Sequence, residues 1–400
     1  MFTSATDEHA VKRHHALTAF IQQEADRRGF ISFARFMELA LYAPGLGFYE
    51  HTGKPIGRQG DFFTSVSVGP MFGELLACQF TRHLRQLAAA RPVLVEAGAH
   101  DGQLALDLLS ALQKTNPELL EQLEYWLIEP SPTRQGWQQE TLKAFHQKVR
   151  WFQSWTDLSS FCDTTGHSLT GIVFANELLD AFPVHRLRWD QSGHDWKELC
   201  VRRDQDEFAW VETPAGEEVI AYRDRIHALE FDEANCPLWP RLPEPLLKAL
   251  PDGFTIEVCP AALDWWEEAA QVLGQGWLMT LDYGLSAGEF FAPHRRDGTV
   301  RGYHQHQLAS DLLASPSQQD LTAHVNFSAV ELVGKAAGLA TESFRTQGEF
   351  LTRVLKDFWP LETRPLTAEQ VRQFQTLTHP QHLGRSFRVL AQSRGVSGER

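Results

Sequence analysis

The chain has 400 residues, with 37 basic and 51 acidic side chains, so its formal net charge is −14 with histidine neutral. This charge argues against broad binding to nucleic acids or anionic membranes, because both rely on basic patches. Hydrophobic residues make up 43% of the chain, which supplies a large core and argues against disorder.

Cysteine usage and terminal pattern predict the compartment. The five cysteines are scattered and lack C-x-x-C spacing, which predicts reduced thiols in a cytoplasmic protein rather than a disulfide frame or a zinc site. The N-terminus has no apolar h-region, so we expect no secretory signal. No apolar run approaches the length of a membrane-spanning helix, so we expect no membrane partner.

The first ninety residues have the pattern of helices and one loop. Apolar residues at helical spacing over 10–42 predict two helices joined near Gly29, and residues 71–88 predict a third. A Gly- and Pro-rich loop covers roughly residues 44–68. We expect an N-terminal helical region and lid loop over residues 1–90.

From Pro92 onward, short apolar runs alternate with helical segments. We predict strands at 93–98, 125–130, 149–153, 171–176, 255–260, 276–284 and 386–394, and helices at 104–113, 133–145 and 261–273. This alternation predicts an α/β domain over residues 91–400, with a mostly parallel sheet and helices on both faces. Residues 185–255 break the rhythm and predict short antiparallel strands inserted into that domain.

Ligands of open α/β sheets lie beyond the carboxyl ends of the strands. The first strand ends VEAGAHDG, where Gly98 and Gly102 allow a tight turn and close approach of a ligand to the backbone. A plain tight turn explains the same pattern equally well. The dinucleotide fingerprint G-x-G-x-x-G and the P-loop lysine are both absent from this turn, which argues against nucleoside triphosphates.

The second strand ends in Glu129, about 30 residues after the glycine turn. A carboxylate at this place hydrogen-bonds the ribose of an adenosine in Rossmann-like proteins. The alternatives are a solvated strand end or an ion pair with Arg134. The glycine turn and this acid together favour adenosine binding.

The fourth strand ends FANELLDAFP, so Asn176, Glu177 and Asp180 emerge at the same edge of the sheet. If the following turn is helical, a spacing of three puts both acids on a similar side. The alternative is capping of a helix N-terminus, which asparagine and acidic residues favour.

The chain resembles one family along nearly its whole length. The segments FMELALYAPGLGFY, GDFFTS, FGELLA, VEAGAHDG, IEPSP, ANELLDAFPVHR, LDYG, DLTAHVNFSAV and TQGEFL occur in the order found in MidA-like S-adenosylmethionine-dependent methyltransferases. That family includes the mitochondrial complex I assembly-factor arginine methyltransferase. The resemblance implies a class I methyltransferase (Rossmann-like) sheet, S-adenosylmethionine as cofactor and a protein substrate.

The resemblance also assigns roles to residues. It implies a cofactor loop at Glu96, Gly98 and Gly102, a ribose acid at Glu129, a loop closing near the cofactor at Gly60, Asp61 and Thr64, and a catalytic segment on the substrate side at Asn176, Glu177 and Asp180. Two departures stand out. His100 replaces a glycine of the family's loop, so its side chain must point away from the cofactor or it narrows the site. SVSVGP replaces the family's continuation from Ser65.

Arginine is the acceptor that the resemblance implies, and carboxylates suit it because they orient a guanidinium and take its proton. One alternative is an assembly or binding protein that keeps the fold without turnover, which His100 favours. Another is an adenine-dinucleotide oxidoreductase, which the glycine spacing disfavours.

His304 and His306 lack a third ligand at sensible spacing, so we expect solvated histidines rather than a metal site. Trp265 and Trp266 fit core packing on an amphipathic helix.

Overall fold

The computed structural model describes residues 5–50, 64–87, 89–304, 307–360 and 362–396. The α-helices are α1 Ala5–Arg28, α2 Phe33–Tyr42, α3 Met71–Leu87, α4 Gln103–Thr115, α5 Pro117–Gln122, α6 Pro132–Thr141, α7 Trp155–Thr165, α8 Glu217–Ala228, α9 Glu244–Ala249, α10 Pro260–Val272, α11 Ala287–Phe290, α12 Phe327–Ala336, α13 Gln347–Phe358 and α14 Ala368–Thr378. Short 3-10 turns cover Phe48–Glu50, Val66–Val68, Lys143–Phe145, Leu179–Ala181 and Pro293–Arg295.

The predicted strands are present with bounds that differ by a few residues. The strands of the structure are β1 Ile31–Ser32, β2 Val93–Ala97, β3 Glu124–Ile128, β4 Val149–Phe152, β5 Leu169–Asn176, β6 His185–Asp190, β7 Asp195–Asp204, β8 Glu207–Thr213, β9 Thr255–Val258, β10 Leu273–Leu285, β11 Arg301–His304, β12 Gln307–Leu308, β13 Asp320–Thr322, β14 Val325–Asn326, β15 Ala340–Thr346 and β16 Phe387–Arg394. Of these, the sequence pattern did not predict β1 or β11 to β15.

The main sheet is mixed. Its order is β15-β16-β10-β5-β2-β3-β4, with β14 beside the end of β10. Strands β4, β3, β2, β5 and β10 pair in parallel, whereas β16 runs antiparallel to both β10 and β15. The strand pattern predicts burial but not direction, because an apolar run buried on both faces looks the same in either orientation.

The order of strands reverses direction between β2 and β5. Strand β3 follows β2 on one side, and β5 and β10 lie on the other. In doubly wound sheets this reversal opens a crevice at the carboxyl ends of the strands. Predicted site residues from the ends of β2, β3 and β5 line a cavity at that crevice.

Helices cover both faces of the sheet, as predicted. Alternate residues of one strand point to opposite sides, so Leu94 and Ile172 pack with α3 and α4 while Val95 and Val173 pack with α7 and α10. Each face therefore has its own core. Trp266 is fully buried and donates to Gln392 at 2.8 Å, which confirms core packing for that residue.

The inserted segment forms a second, antiparallel sheet. Its order is β1-β7-β6-β9, with β8 beside β7, so the predicted antiparallel strands are confirmed. The strand predicted at 255–260 is present as β9, but its expected place in the main sheet was wrong. It pairs antiparallel with β6 in the second sheet. Periodicity identifies a strand but cannot tell which sheet it joins.

The predicted N-terminal helices are confirmed, and they pack on the second sheet. Leu17, Phe36 and Met37 share a core with Val201 of β7 and Leu321 of β13. Helix α3, in contrast, packs on the main sheet against β5 and α4. A domain boundary at residue 90 stays a prediction. In the described part of the chain, no helix is long and apolar enough to cross a membrane.

Candidate active site

A cavity of about 1120 Å³ opens at the carboxyl ends of β2, β3 and β5. Its walls come from the N-terminal region, the main sheet and the inserted segment. Glu129 and Glu177 both line this cavity, although 47 residues lie between them in the chain. The crevice that the topology creates thus contains the predicted strand ends.

The loop after β2 needs its glycines. Gly98 and Gly102 have φ angles of 75° and 86°, in the left-handed region that glycine adopts readily. A Cβ on Gly98 would lie 2.8 Å from Cδ1 of Leu178. The backbone N–H of Gly102 donates to Ala99 at 2.7 Å and closes the turn before α4. The loop therefore presents bare backbone to the cavity.

Glu96 is buried at the end of β2 and accepts a hydrogen bond from the Tyr125 hydroxyl. Burial raises the pKa of Glu96 to about 7, while the bond from Tyr125 lowers it and the charge of Asp101 raises it. Glu96 lines the cavity beside Gly98. Its position matches the predicted cofactor loop.

Glu129 is buried beyond β3 and paired with Arg134, the alternative partner considered from the sequence. Its Oε1 accepts from Nε and Nη2 of Arg134 at 2.9 and 2.8 Å and from the Ser131 N–H at 2.9 Å. Its Oε2 accepts from Gln138 at 3.1 Å. A carboxylate has about four acceptor positions, so Oε2 retains the capacity to accept a ribose hydroxyl. The ion pair and the cofactor role are therefore compatible.

Helix α6 holds this arrangement in place. Ser131 caps it by accepting from the Arg134 N–H at 3.3 Å, and Pro132 occupies the first helical position, as the sequence IEPSP favours. Gln138, fully buried on α6, donates to the carbonyl of His100 at 3.0 Å as well as to Glu129. It ties the first two strand-end loops together.

His100, the departure from the family's glycine pattern, has a backbone conformation that favours glycine. Its φ is 48°, which strains any side chain with a Cβ. The ring centroid lies 5.9 Å from that of Trp137, and Nδ1 lies 3.7 Å from Asp101. The side chain lines the wall of one continuous cavity and does not divide it.

Strand β5 ends in a kinked turn that carries Asn176, Glu177 and Asp180. Glu177 has a φ of 51°. One of its carboxylate oxygens, Oε1, accepts from the Asn176 amide at 3.2 Å and from the Ser65 N–H at 2.9 Å. Asn176 is buried, and its own Oδ1 has no hydrogen-bond partner among the described residues. All three predicted residues line the cavity.

Capping, the alternative role for these residues, belongs instead to Asp282 at the end of β10. Its Oδ2 accepts from the N–H groups of Leu178 and Leu179 at 3.1 and 2.8 Å. The segment that follows Asn176 is a single 3-10 turn, and its own N-cap residue, Leu178, supplies no side-chain cap. Asn176, Glu177 and Asp180 therefore do not cap a helix.

The carboxyl groups of this region repel one another. Burial raises the pKa of Glu177 to about 8, the Ser65 N–H lowers it, and the charge of Asp282 raises it further. Burial and then the charges of Asp282, Glu177 and Asp320 hold the pKa of Asp180 well above its usual value. Burial also raises the pKa of Asp282 to about 7, against the pull of its backbone donors. These carboxyl groups therefore hold their protons to a higher pH than exposed carboxyl groups do.

The predicted closing loop is described only from Thr64 onward, so Gly60 and Asp61 lie outside the described residues. Thr64 lines the cavity and shares hydrogen bonds with Ser67 through its N–H, carbonyl and hydroxyl. Its neighbour Ser65 holds Glu177. The sequence could not assign Ser65 because its segment departs from the family pattern.

Within the described ranges, no group of three or more potential ligands could hold a metal ion. His304 instead shares a hydrogen bond with the carbonyl of Gln318 at 2.6 Å, and His306 lies outside those ranges. Trp265 is buried in the same core as Trp266, which confirms its predicted packing, and it also lines the cavity.

Sequence reasoning missed four residues of this site. They are Ser65, Gln138, Asp282 and Asp320. A usable signal existed for Asp282, because it ends the apolar run of β10 just as Glu129 ends that of β3. Gln138 and Ser65 carry no such signal, since each lies in a segment without a distinctive pattern.

The fold and this glycine-lined crevice define a class I methyltransferase. The family described as "Putative S-adenosyl-L-methionine-dependent methyltransferase" matches residues 75–345, and the chain belongs to that family. Membership confirms the family resemblance seen in the sequence and the predicted cofactor, S-adenosylmethionine.

Two curated relatives are mitochondrial protein arginine methyltransferases. The chain is 26% identical to NDUFAF7 of Rattus norvegicus, over 91% of this chain and 81% of the rat protein. It is also 26% identical to the NDUFAF7 homolog of Drosophila melanogaster, over 96% of this chain and 86% of the fly protein.

A solved structure from Burkholderia thailandensis, described as a "likely methyl transferase" bound to S-adenosyl-homocysteine, has a TM-score of 0.78. It is 27% identical, and the match covers 100% of this chain and 96% of that one. A native structure of a B. thailandensis protein reaches 0.76 at the same identity and coverage. The similarity therefore includes the N-terminal helices and the inserted segment.

Proposed function

We propose that this protein methylates an arginine side chain of a protein substrate. The observation that carries the proposal is the cluster of carboxyl groups at Glu177 and Asp180. Among the described residues, no lysine or arginine forms an ion pair with either of them or with Asp282, so the cluster has no counter-charge of its own.

The wider cavity is also lined mainly by acidic side chains. Among the described residues that line it are eleven acids and two arginines: Glu38, Glu50, Glu96, Asp101, Glu129, Glu177, Asp180, Glu218, Asp264, Glu268 and Asp320 against Arg35 and Arg134. Arg134 is already paired with Glu129, and Arg35 with Glu24 and Glu38. A cationic acceptor suits these walls. The names of the NDUFAF7 relatives add arginine as the specific cation.

In this proposal the cofactor binds between Gly98 and Glu129 and supplies a methyl group on a positively charged sulfur. The Gly98 backbone allows close approach, and Glu129 accepts from a ribose hydroxyl. Thr64, with Gly60 and Asp61, belongs to the loop that closes over the cofactor. Alignment of the reacting atoms and exclusion of water are the main contributions of the protein to such a displacement.

In this proposal, Glu177 and Asp180 make the guanidinium of the acceptor more reactive. A guanidinium is a poor nucleophile because its charge is delocalised and its pKa lies above about 12. Carboxylates orient it and localise its charge on the nitrogens that face them. A nitrogen–carbon bond then forms as the sulfur–carbon bond breaks, and the proton released by the nitrogen passes to a carboxylate. Asn176 positions Glu177.

The experiment compares wild-type protein with Glu177→Gln, using cofactor labelled in its methyl group and peptides captured from a cell lysate. We expect the variant to lose at least about a hundredfold in methylation rate, the lower range for a general base, while binding S-adenosylhomocysteine like the wild type. Mass spectrometry of the methylated peptides identifies the acceptor residue.

A Glu177→Gln protein that methylates at the wild-type rate contradicts the assigned role. If wild-type protein binds the cofactor but transfers no label to any peptide, the result favours the assembly-protein alternative. The cytoplasmic location stays a prediction, since the named relatives are mitochondrial.

A further inference from the structure

Asp320 lies in a segment, DLTAHVNFSAV, that the proposed mechanism does not use. It begins β13, which pairs with β11 in a separate small sheet. Only 6% of the residue is exposed, and it lines the cavity together with Glu177 and Asp180. A third carboxyl group thus reaches the site from more than 130 residues away in the chain.

Strand β13 is tied directly to the turn that carries Asp180. The N–H of Ala323, just after β13, donates to the carbonyl of Asp180 at 2.8 Å. The charge of Asp320 raises the pKa of both Glu177 and Asp180, after the larger effects of burial and nearer groups. The three carboxyl groups therefore belong to one electrostatic cluster.

Two tyrosines of the N-terminal region complete this part of the wall. The Tyr49 hydroxyl donates to Oδ1 of Asp320 at 2.6 Å, and the Tyr42 hydroxyl donates to the carbonyl of Ala181 at 2.9 Å. Their rings stack with centroids 5.5 Å apart and an interplanar angle of 29°. Both tyrosines line the cavity. Aromatic rings beside carboxylates suit a guanidinium, which stacks on aromatic faces and pairs with carboxylates.

A separate observation concerns the side-chain oxygen of Asn176. This residue is 9% exposed and lines the cavity, yet its Oδ1 accepts no hydrogen bond from any described residue. Buried polar atoms are nearly always paired. Because the Asn176 amide N–H donates to Glu177, a donor that reached this oxygen would lie next to the carboxyl groups.

Asp282 and Asp320 differ in their position relative to the cavity. Asp282 accepts from the N–H groups of Leu178, Leu179 and Tyr283 and so holds the backbone. Asp320 is held by a side chain, Tyr49, and lies on the cavity wall, whereas Asp282 does not line the cavity. Asp320 is thus placed to face a ligand, and Asp282 is placed to shape the turn.

We propose that Asp320, oriented by Tyr49, binds the positive charge of the acceptor together with Glu177 and Asp180 and thereby sets the preference of the site for a cationic side chain. This inference rests on the proposed function. It adds a specificity-determining residue, Asp320, and a positioning residue, Tyr49, which acts through it.

The test measures binding without turnover. Calorimetry follows a short glycine-rich peptide with one arginine as it binds to protein loaded with S-adenosylhomocysteine. The same peptide with citrulline, which has nearly the same shape but no charge, reports on charge recognition, and a lysine version reports on the guanidinium. Asp311→Asn is the matched control, because Asp311 is exposed and does not line the cavity.

We expect the wild type and Asp311→Asn to prefer the arginine peptide over the citrulline peptide. In Asp320→Asn that preference should fall by roughly tenfold or more, the range for a hydrogen bond between charged groups. Affinity for S-adenosylhomocysteine should stay within about threefold, which shows that the variant is folded. If Asp320→Asn keeps the full preference for arginine, the inference is overturned.

Tyr49→Phe tests the positioning residue, since it removes only the hydroxyl. We expect a smaller loss of the arginine-to-citrulline preference, with unchanged binding of S-adenosylhomocysteine. If Tyr49 has a purely structural role, the variant will bind both peptides equally more weakly. That result would remove Tyr49 from the inference.

The outcomes also separate this inference from the proposed function. A wild-type preference for lysine that disappears in Asp320→Asn supports Asp320 as the charge-recognising residue and contradicts arginine methylation. A wild type that binds the cofactor product but does not distinguish arginine from citrulline contradicts both.

Discussion

Single residues show how the site balances its charges. Glu177 has three neighbouring acids, and its hydrogen bonds come from neutral donors, the Ser65 N–H and the Asn176 amide. Such donors offset part of the cost of burying a carboxylate but do not neutralise it. In the proposed function Glu177 binds a cation, and its charged form is costly until that cation binds.

This cost predicts a pH dependence of stability. The pKa of Glu177 is raised from 4.5 to about 8 in the folded protein. The folded state therefore binds a proton that the unfolded state has released, and the resulting stability is full below about pH 4.5 and lost as the pH rises through about 8. We expect the free energy of unfolding of cofactor-free protein to decrease over this window.

The check is denaturant unfolding of wild type and Glu177→Gln at several pH values. Each fully titrating group contributes up to about 1.4 kcal/mol per pH unit. The variant should show a shallower decrease and keep the part that comes from Asp180 and Asp282, whose pKa values are also raised. Parallel curves would show that Glu177 is ionised in the folded protein throughout.

Among residues, those that end a strand could be predicted, and those that reach the site from elsewhere could not. Glu129 and Glu177 interrupt apolar runs, and burying an acid without a partner is costly, so each demanded an explanation from sequence alone. Asp320 lies in a short strand with no such run before it. Its proximity to Glu177 depends on how β13 packs against the turn, which no local pattern encodes.

At the scale of elements, α6 connects the strand-end loops. Gln138 donates to His100 and Glu129 and accepts from the Trp151 indole at 3.0 Å, so one buried side chain touches the segments after β2 and β3 and the strand β4. In the proposed function, a helix thus helps to align the loops that hold the cofactor.

Gln138→Leu should therefore weaken both folding and cofactor binding. It leaves buried polar partners unpaired, at a cost of about 2–4 kcal/mol in the free energy of unfolding. We expect roughly tenfold weaker binding of S-adenosylhomocysteine as well. Denaturant unfolding and calorimetry measure the two effects. Gln139→Leu, an exposed change on the same helix, is the control, and equal behaviour of the two variants would exclude a linking role for Gln138.

The elements themselves were largely predictable, and their partners were not. The glycine turn after β2 and the Ser-Pro start of α6 follow from local backbone preferences. The direction of β16 and the transfer of β9 to the second sheet were missed, because each depends on which neighbour buries the strand.

At the scale of the whole molecule, the cavity brings together three distant parts of the chain. Tyr42 and Tyr49 come from the N-terminal region, Glu129 and Glu177 from the main sheet, and His185 and Glu218 from the inserted segment. His185 is buried between Glu198 and Glu218 at 2.7 and 2.8 Å, and these acids raise its pKa to about 9 against the effect of burial. The wall is anchored by such pairs, yet acids outnumber bases along it.

This excess predicts a salt-dependent acceptor affinity. Raising sodium chloride from about 50 to about 500 mM should weaken binding of the arginine peptide by roughly three- to tenfold, because ions screen its attraction to the acidic wall. The citrulline peptide, which lacks the charge, should change little. Calorimetry at several salt concentrations measures both. Equal salt dependence of the two peptides would contradict an electrostatic contribution from the cavity.

The sequence by itself determined the α/β class of fold and the polar residues that end its strands, because glycine turns, apolar runs and terminal acids are features of consecutive residues. Its resemblance to a family supplied the cofactor. Only the tertiary structure decided that Asp282 holds the Asp180 turn, that Arg134 pairs with Glu129 and that Asp320 joins Glu177. These contacts depend on residues far apart in the chain, and burial and charge become defined only when the elements pack together.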